Sequence, residues 1–286
     1  MLPSTFCLVA GIGPATERRL WASGVSSWDD LAAAARLPLS PRQAGALRAE
    51  AEASRRALEE GNPHHFARRL PPSEHWRLFP HFRESTAYLD IETTGMGPPR
   101  DYITAVTLYD GNAVRHYVQG RNLEDFARDL RLYRVLVTYN GKCFDAPFIE
   151  QSLDIRLHQV HLDLRHILHR LGYRGGLKGC EQQLGFERGD LAGVDGFFAV
   201  LLWQDFLEHG NERALETLSA YNVQDVISLE ALMVLAYNAK LKQTPFADRY
   251  GLPLPKVPPN PFRADPDTIA RIRGRLGGAP WGERTG

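Results

Sequence analysis

The chain has 286 residues, of which 43% are hydrophobic and 24% are charged, and its formal net charge is zero. This composition is typical of a globular protein with one sizeable core and room for a small accessory domain. The balanced charge excludes a uniformly basic protein, so any surface that binds an anionic partner must be local.

The cysteine pattern gives an expectation about the compartment. Cys7, Cys143 and Cys180 form no C-x-x-C pair, which argues against a disulfide framework and against a thiolate zinc site. No apolar run reaches the length of a membrane span, and the first residues lack the features of a signal peptide. We therefore expect a cytoplasmic protein without a membrane partner.

The N-terminal part of the chain has a helical pattern. Residues 14–62 are rich in Ala, Leu, Arg and Glu and are divided by Gly and Pro turn signals, which predicts several short helices. We expect a small all-α domain over residues 1–75.

The central part of the chain mixes strand and helix patterns. The predicted strands are Ala87–Glu92, Ile103–Tyr109, Ala113–Val118 and Val135–Tyr139, with a hairpin signal at Asp110-Gly111-Asn112. Predicted helices cover Asn122–Leu132, a start at Asp145-Ala146-Pro147, Ala199–Glu208 and Asn211–Asn238, and His158–Leu171 carries a short strand or helix. This order predicts an α/β layer with a mixed sheet.

The last part of the chain changes composition again. After Leu241 it becomes proline-rich, which predicts an extended surface segment. Asp265-Pro266-Asp267 then opens a short helix with arginines at 271, 273 and 275. We therefore treat residues 243–286 as a separate C-terminal segment.

Asp90 and Glu92 lie two residues apart in a predicted strand. Residues i and i+2 of a strand share a face, so the two acids point the same way while Ala87, Leu89 and Ile91 face a core. Neighbouring carboxylates shift each other's pKa values. The alternative for this pair alone is an exposed face of an edge strand.

Asp145 follows a tight turn at Asn140-Gly141 that ends a predicted strand. This placement puts its carboxylate at the carboxyl end of the sheet, where open α/β folds keep their sites. An Asp two residues before a Pro is also a common helix cap, and that alternative stays open.

Tyr221 and Asp225 lie on one face of a predicted helix. Leu215, Leu218, Leu229 and Leu232 share that face at three- and four-residue steps, so Asp225 belongs to a buried stripe. A buried carboxylate needs a partner, and a hydrogen bond to a loop is the alternative to function. Four such acids without a matching Lys or Arg cluster indicate bound metal ions and a phosphate-cleaving site.

The three segments together resemble the exonuclease motifs of the DEDD superfamily, the ribonuclease H-like 3′–5′ exonucleases. The matching segments are Leu89–Gly95, Tyr139–Ile149 and Tyr221–Asp225, and a tyrosine four residues before the last acid marks the DEDDy branch. Residues 84–240 are most similar to the YprB-like stand-alone bacterial members. The resemblance implies a ribonuclease H-like, five-stranded mixed sheet flanked by helices over residues 84–242.

The resemblance also implies roles for these residues. Asp90, Glu92, Asp145 and Asp225 would hold two Mg²⁺ or Mn²⁺ ions, the ions that all-oxygen ligand sets favour. Tyr221 would orient the attacking water, since a phenol is a poor base at neutral pH. Substrate contacts would come from Thr93, Thr94, Asn140 and Phe144.

Residues 9–25 resemble a helix-hairpin-helix core, in which glycines let backbone N–H groups approach a DNA phosphate. Gly11 and Gly13 would make that contact. The alternative is a hairpin that only packs helices together.

The function expected from these observations is a metal-dependent 3′–5′ exonuclease on single-stranded ends, with DNA favoured over RNA. Two alternatives stay open. One is a nucleic-acid-binding module that does not turn over substrate, and the other is a structure-specific endonuclease.

Overall fold

The computed structural model describes residues 1–275. The strands are β1 Thr86–Thr93, β2 Ile103–Tyr109, β3 Val114–Val118, β4 Val135–Thr138 and β5 Val160–Asp163. The helices before the sheet are α1 Pro14–Ala22, α2 Trp28–Ala33, α3 Pro41–Glu59, α4 Pro63–Arg69 and α5 Phe79–Phe82. The later helices are α6 Phe126–Leu130, α7 Asp145–Leu153, α8 Leu164–Arg170, α9 Gly176–Gln183, α10 Gly196–His209, α11 Glu212–Ile227, α12 Leu229–Leu241, α13 Ala247–Tyr250 and α14 Pro266–Arg275.

The five strands form one mixed sheet in the order β3-β2-β1-β4-β5. The first three strands make an antiparallel meander, and β4 and β5 continue the sheet parallel to β1. This confirms the predicted α/β fold, and it places β1 at the centre of the sheet. The alternative that Asp90 and Glu92 lie on an edge strand is therefore wrong.

Helices cover both faces of the sheet. One face buries Ala87, Leu89 and Ile91 of β1 in a core that also contains Phe126 of α6 and Phe148 of α7. Helix α11 packs against β1 and β2 on the other face, and α12 packs against β4. Because successive side chains of β1 point to opposite faces of the sheet, Asp90 and Glu92 point toward α11.

The N-terminal helices share a hydrophobic core with α12. The same buried cluster contains Leu20, Trp28 and Leu47 from the first helices and Met233 and Tyr237 from α12. A buried ion pair also ties Arg77 to Glu17 of α1 through two hydrogen bonds of 2.8 Å. The boundary of the predicted helical domain at residue 75 stays a prediction.

The predicted helix over Asn122–Leu132 is shorter than expected. A 3-10 turn, Leu123–Asp125, leads into α6, which ends at Leu130. The helix has to end before Arg134, because the Arg134 backbone N–H donates to the Ser85 carbonyl as β4 begins. His158–Leu171 carries both a strand, β5, and a helix, α8.

The predicted helix over Asn211–Asn238 is two helices, α11 and α12, because the chain breaks at Ser228. The Ser228 hydroxyl donates to Glu181 of α9 at 2.6 Å, which ties the residue between the two helices to α9. The predicted basic helix is α14, and residues 276–286 of the predicted C-terminal segment lie outside the described residues. Within residues 1–275, no helix has the length and apolar character needed to span a membrane.

Candidate active site

Three carboxylates from β1 and α11 converge on one point. One oxygen each from Asp90, Glu92 and Asp225 lies within 4.8 Å of the other two. Glu92 and Asp225 are buried, and Asp90 is half-buried. The sheet centre and its covering helix therefore bring together acids that lie far apart in the sequence.

The local structure explains this convergence. Glu92 lies at the last regular pair of β1 with β2, and the register shifts between Glu92 and Thr93. Such a bulge bends a strand and aims its side chains, and it occurs often beside active sites. Asp225 faces the sheet because it shares the buried stripe of α11 with Leu218 and Tyr221.

Asp145 lies beside this group at the first residue of α7. Its Oδ1 accepts a hydrogen bond from the Ile91 backbone N–H at 3.2 Å, between the two acids of β1. The side chain makes no capping bond at the start of its helix, so the cap alternative is wrong. Burial raises the pKa of Asp145 to about 7.

Burial and mutual repulsion also raise the pKa values of Asp90 and Glu92 well above their ordinary range. For Asp90 the nearby charges are Asp145, Asp225 and Glu92, and for Glu92 the first is Asp225. A bound divalent cation would relieve this repulsion. The ligands are all oxygens, which suits Mg²⁺ or Mn²⁺ better than zinc. The donor set therefore fits such an ion.

The sequence shows no Lys or Arg cluster to match the four acids, but the fold brings one arginine to Asp225. The Arg188 guanidinium hydrogen-bonds to Asp225 Oδ1, and its other nitrogens contact Glu181 Oε2 at 2.5 Å. Arg188 lies in the segment between α9 and α10, so the alternative of a loop partner for Asp225 is correct in part. The positive charges of Lys178 and Arg188 therefore offset part of the negative charge of the acids.

A second cation, Lys178 of α9, lies over the ring of Tyr221. Its Nζ is 4.8 Å from the ring centroid and donates to the Val194 carbonyl. Burial lowers the pKa of Lys178, while Asp225 opposes that change. Burial raises the pKa of Tyr221 well above 10, and nearby acids add to this effect. The phenol is therefore neutral at physiological pH.

A series of hydrogen bonds through Asn222 and Thr107 orients the Asp90 carboxylate. Asn222 Nδ2 donates to Asp90 Oδ2 at 2.9 Å, and Asn222 Oδ1 accepts from the Thr107 hydroxyl at 2.6 Å. That hydroxyl lies 2.9 Å from His116 Nδ1. Asn222 falls inside the third motif, one helical turn before Asp225, and the sequence reasoning missed its role.

The sequence-predicted substrate residues lie at the ends of two strands. The Thr93 hydroxyl donates to the Gly95 carbonyl at 2.6 Å, and Thr94 pairs through its backbone N–H with the Tyr102 carbonyl at 3.0 Å. Phe144 packs against Phe148 and precedes α7.

The Asn140-Gly141 turn after β4 is tightly built. Asn140 has a left-handed φ of 67°. A Cβ on Gly141 would clash with the Thr138 side chain, so any other residue here would force this turn or Thr138 to shift. The turn brings Asn140 to the same end of the sheet as Asp145.

Gly11 and Gly13 lie away from the acids, at the start of α1. Gly11 is exposed with a φ of 82°, and Gly13 is the N-cap of α1. A short 3-10 turn, Leu2–Ser4, precedes them in place of the first helix of a helix-hairpin-helix motif. DNA contact by these glycines stays a prediction.

Comparison with known proteins adds a family. A family model described as the RNase H superfamily matches residues 87–237, more than half of the chain. No curated protein matches the sequence.

Three solved structures show weak similarity. The family B DNA polymerase from the hyperthermophilic archaeon Pyrobaculum calidifontis matches with a TM-score of 0.42 and 19% identity, over 60% of this chain and 26% of the polymerase. Brucella melitensis NrnC with bound Mg²⁺ matches with a TM-score of 0.38 and 20% identity, over 57% of this chain and 76% of NrnC. Brucella melitensis NrnC bound to pGG matches with a TM-score of 0.39 and 16% identity, over 71% of this chain and 92% of NrnC. The chain thus spans about a quarter of the polymerase.

Proposed function

The chain belongs to the RNase H superfamily, and we propose that it is a metal-dependent 3′–5′ exonuclease. It would hydrolyse phosphodiester bonds at the 3′ end of single-stranded nucleic acid, with DNA favoured over RNA. The observation that carries the proposal is the convergence of three carboxylates within 4.8 Å, with Asp145 hydrogen-bonded to the strand between two of them. We further assign the chain to the DEDDy branch and its YprB-like members.

The metal ligands in this proposal are Asp90, Glu92, Asp145 and Asp225. Two Mg²⁺ or Mn²⁺ ions held there would supply charge stabilisation for the attacking and leaving oxygens at phosphorus. The protein's own contribution is orientation. Asn222 fixes one oxygen of Asp90, and the Ile91 N–H fixes one oxygen of Asp145.

Tyr221 serves as a neutral hydrogen-bonding group in this proposal. Its raised pKa makes it unfit as a general base, but a buried phenol can hold a water molecule in one orientation. Thr93, Thr94, Asn140 and Phe144 would contact the terminal nucleotides, since they lie where β1 and β4 end. Gly11 and Gly13 would contact the DNA backbone.

The proposed domain arrangement follows the sequence boundaries. Residues 1–75 form a helix-hairpin-helix-like region, residues 84–242 the exonuclease domain, and residues 243–286 the C-terminal segment. The three cysteines are free, which fits a reducing compartment such as the cytoplasm.

The experiment that tests the proposal compares three single-stranded substrates in the presence of Mn²⁺. They are a 3′-labelled strand, a 5′-labelled strand and an internally labelled circle, each made as DNA and as RNA. Early release of the 3′ label as a mononucleotide, with an intact circle, supports the proposal.

Other outcomes distinguish the alternatives. Cleavage of the circle would identify an endonuclease, because an exonuclease requires an end. Binding without cleavage of any substrate would identify a non-catalytic module. Early release of a 5′ mononucleotide would reverse the polarity.

A further inference from the structure

A second cavity lies beside the candidate active site. Its volume is about 280 Å³, and its walls carry Lys142, Arg170, Lys240, His75, His161 and His166. The only acid among its lining residues is Asp163. The walls come partly from Pro72, Ser73, His75 and Lys240, which lie outside the residues that match the RNase H superfamily model. This cavity is therefore partly built by segments that flank the matched region.

Positive charge is in excess in this cavity, with three cations against one carboxylate. Within residues 1–275, the side chains of Lys142, Arg170 and Lys240 make no hydrogen bond and no ion pair. The Asp163 carboxylate accepts hydrogen bonds of 2.8–3.2 Å from three backbone N–H groups, those of Asn140, Lys142 and Arg165. Its carboxylate is thus hydrogen-bonded by the backbone and pairs with none of the three cations, which keep their donors available to an anion.

Two histidines of the cavity, His75 and His161, add hydrogen-bonding groups whose pKa values are lowered by burial. His161 Nε2 lies 2.7 Å from the Thr138 hydroxyl, and His75 Nε2 donates to the Leu70 carbonyl at 3.1 Å. Burial lowers the pKa of His161 to about 4, and the Lys142 charge adds to this effect. The fixed positive charge of the cavity therefore comes from the lysines and the arginine.

One turn connects this cavity with the acids of the active site. Lys142 lies in the segment between β4 and α7, and Asp145 is the first residue of α7. The three residues of chain from Lys142 to Asp145 span at most ~10 Å. Asp163 holds the backbone of that segment through Asn140 and Lys142. A nucleic-acid strand whose 3′ end reaches Asp145 can therefore contact Lys142 as well.

We propose that this cavity binds a phosphate group of the nucleic-acid strand, away from the nucleotide being cleaved. The proposal rests on the exonuclease function proposed above. Lysine and arginine are the residues that contact nucleic-acid phosphates, and three of them around one cavity form a local basic surface on a chain of zero net charge. The phosphate is an internal diester or a terminal 5′ monoester.

The test measures binding without catalysis. Fluorescence anisotropy with EDTA gives the affinity of a short single-stranded DNA for the wild type and for the triple variant Lys142→Gln, Arg170→Gln, Lys240→Gln. The matched control removes three exposed cations elsewhere, in Arg56→Gln, Arg156→Gln, Lys256→Gln. Thermal unfolding checks that both variants are folded.

We expect the triple variant to bind about tenfold or more weakly than the control. We also expect its plot of log affinity against log salt to flatten by ~0.7 for each phosphate that the protein no longer neutralises. Equal affinity and equal slope for the two variants would overturn the proposal.

Binding of two single-stranded DNAs, one with a 5′ phosphate and one with a 5′ hydroxyl, shows which phosphate the cavity takes. If a 5′-phosphorylated strand binds more tightly than a 5′-hydroxyl strand only in the wild type, the cavity takes the terminal monoester. If both strands bind alike and lose affinity alike in the triple variant, it takes an internal diester. Because EDTA prevents cleavage, weaker binding by the variant supports the cavity even if no nuclease activity is found.

Discussion

Arg188 hydrogen-bonds to Asp225, so one of the clustered carboxylates is already paired with a cation from the protein itself. The same guanidinium contacts Glu181, which in turn accepts a hydrogen bond from Ser228 at the break between α11 and α12. A single arginine therefore links α9, the following segment and the helix that carries Asp225. This link places a positive charge beside the acids and ties three elements together.

Replacing Arg188 with Gln should destabilise the metal-free protein. The substitution leaves Glu181 and Asp225 without their cation, and breaking a buried pair costs on the order of 3 kcal/mol. For a chain of this size we expect the melting temperature in EDTA to fall by ~5–10 °C. Mn²⁺ should stabilise the variant more than the wild type, because the ion supplies the missing positive charge.

Arg128→Gln is the control for this prediction, since Arg128 pairs with Asp125 and Asp129 at an exposed position. It should leave the melting temperature nearly unchanged. Equal changes in the two variants would show that the Arg188 pair does not stabilise the fold.

Replacing Asp145 with Asn should stabilise the metal-free protein at high pH only. The folded-state pKa of about 7 lies above the ordinary value of ~3.9 for an unfolded chain. The folded protein therefore holds the proton more tightly, and this stabilisation is full at low pH and is lost as the pH rises through about 7.

The variant lacks the charge at every pH. In EDTA at about pH 8 its melting temperature should exceed that of the wild type by a few degrees, and the difference should shrink toward about pH 5. Unfolding curves across this range provide the check. A difference that did not change with pH would contradict the assigned pKa.

Replacing Asn222 with Leu should weaken metal binding. The substitution removes the only amide that holds Asp90 Oδ2 in the described part of the chain, and groups that orient a metal ligand typically contribute 10–100-fold in affinity or activity. Calorimetric titration with Mn²⁺ measures the loss. Ser219→Ala is the control on the same helix, because Ser219 donates only to the Leu215 carbonyl of α11. Unchanged Mn²⁺ affinity in the Asn222 variant would exclude the positioning role.

Replacing Tyr221 with Phe should slow hydrolysis without weakening metal binding. Loss of an orienting group typically costs about 10²-fold in rate, and the ring stays to fill its buried site. The pH dependence of the remaining rate should match that of the wild type, since the phenol is neutral throughout.

Tyr237→Phe is the matched control, because Tyr237 is a buried tyrosine of α12 that donates to the Tyr250 carbonyl. It should keep the wild-type rate. A fall in Mn²⁺ affinity as large as the fall in rate for the Tyr221 variant would assign that residue to the metal site instead.

The scaffold of the site could be predicted from the sequence because its signals are local. Alternation in β1 puts Asp90 and Glu92 on one face, and the three- and four-residue steps of α11 put Asp225 on its buried stripe. The bounds of β2 also match the prediction. Such patterns reflect burial against a neighbouring layer, and a single segment carries them.

The partners of those acids could not be predicted in this way. Arg188 lies 37 residues before Asp225 and outside any regular spacing, so only the folded chain brings the two together. The cavity of Lys142, Arg170 and Lys240 was missed for the same reason. The division of the predicted helix at Ser228 was missed because residues 211–238 contain no Gly or Pro that would indicate it.

The proposal that the clustered acids form a metal-dependent nuclease site can be tested by one comparison. Release of a 3′-terminal label from single-stranded DNA in the presence of Mn²⁺ is measured for the wild type and for a folded Asp225→Asn variant. We expect rapid release by the wild type, no release in EDTA, and no release by the variant. Equal release by the variant and the wild type would contradict the assignment of this site.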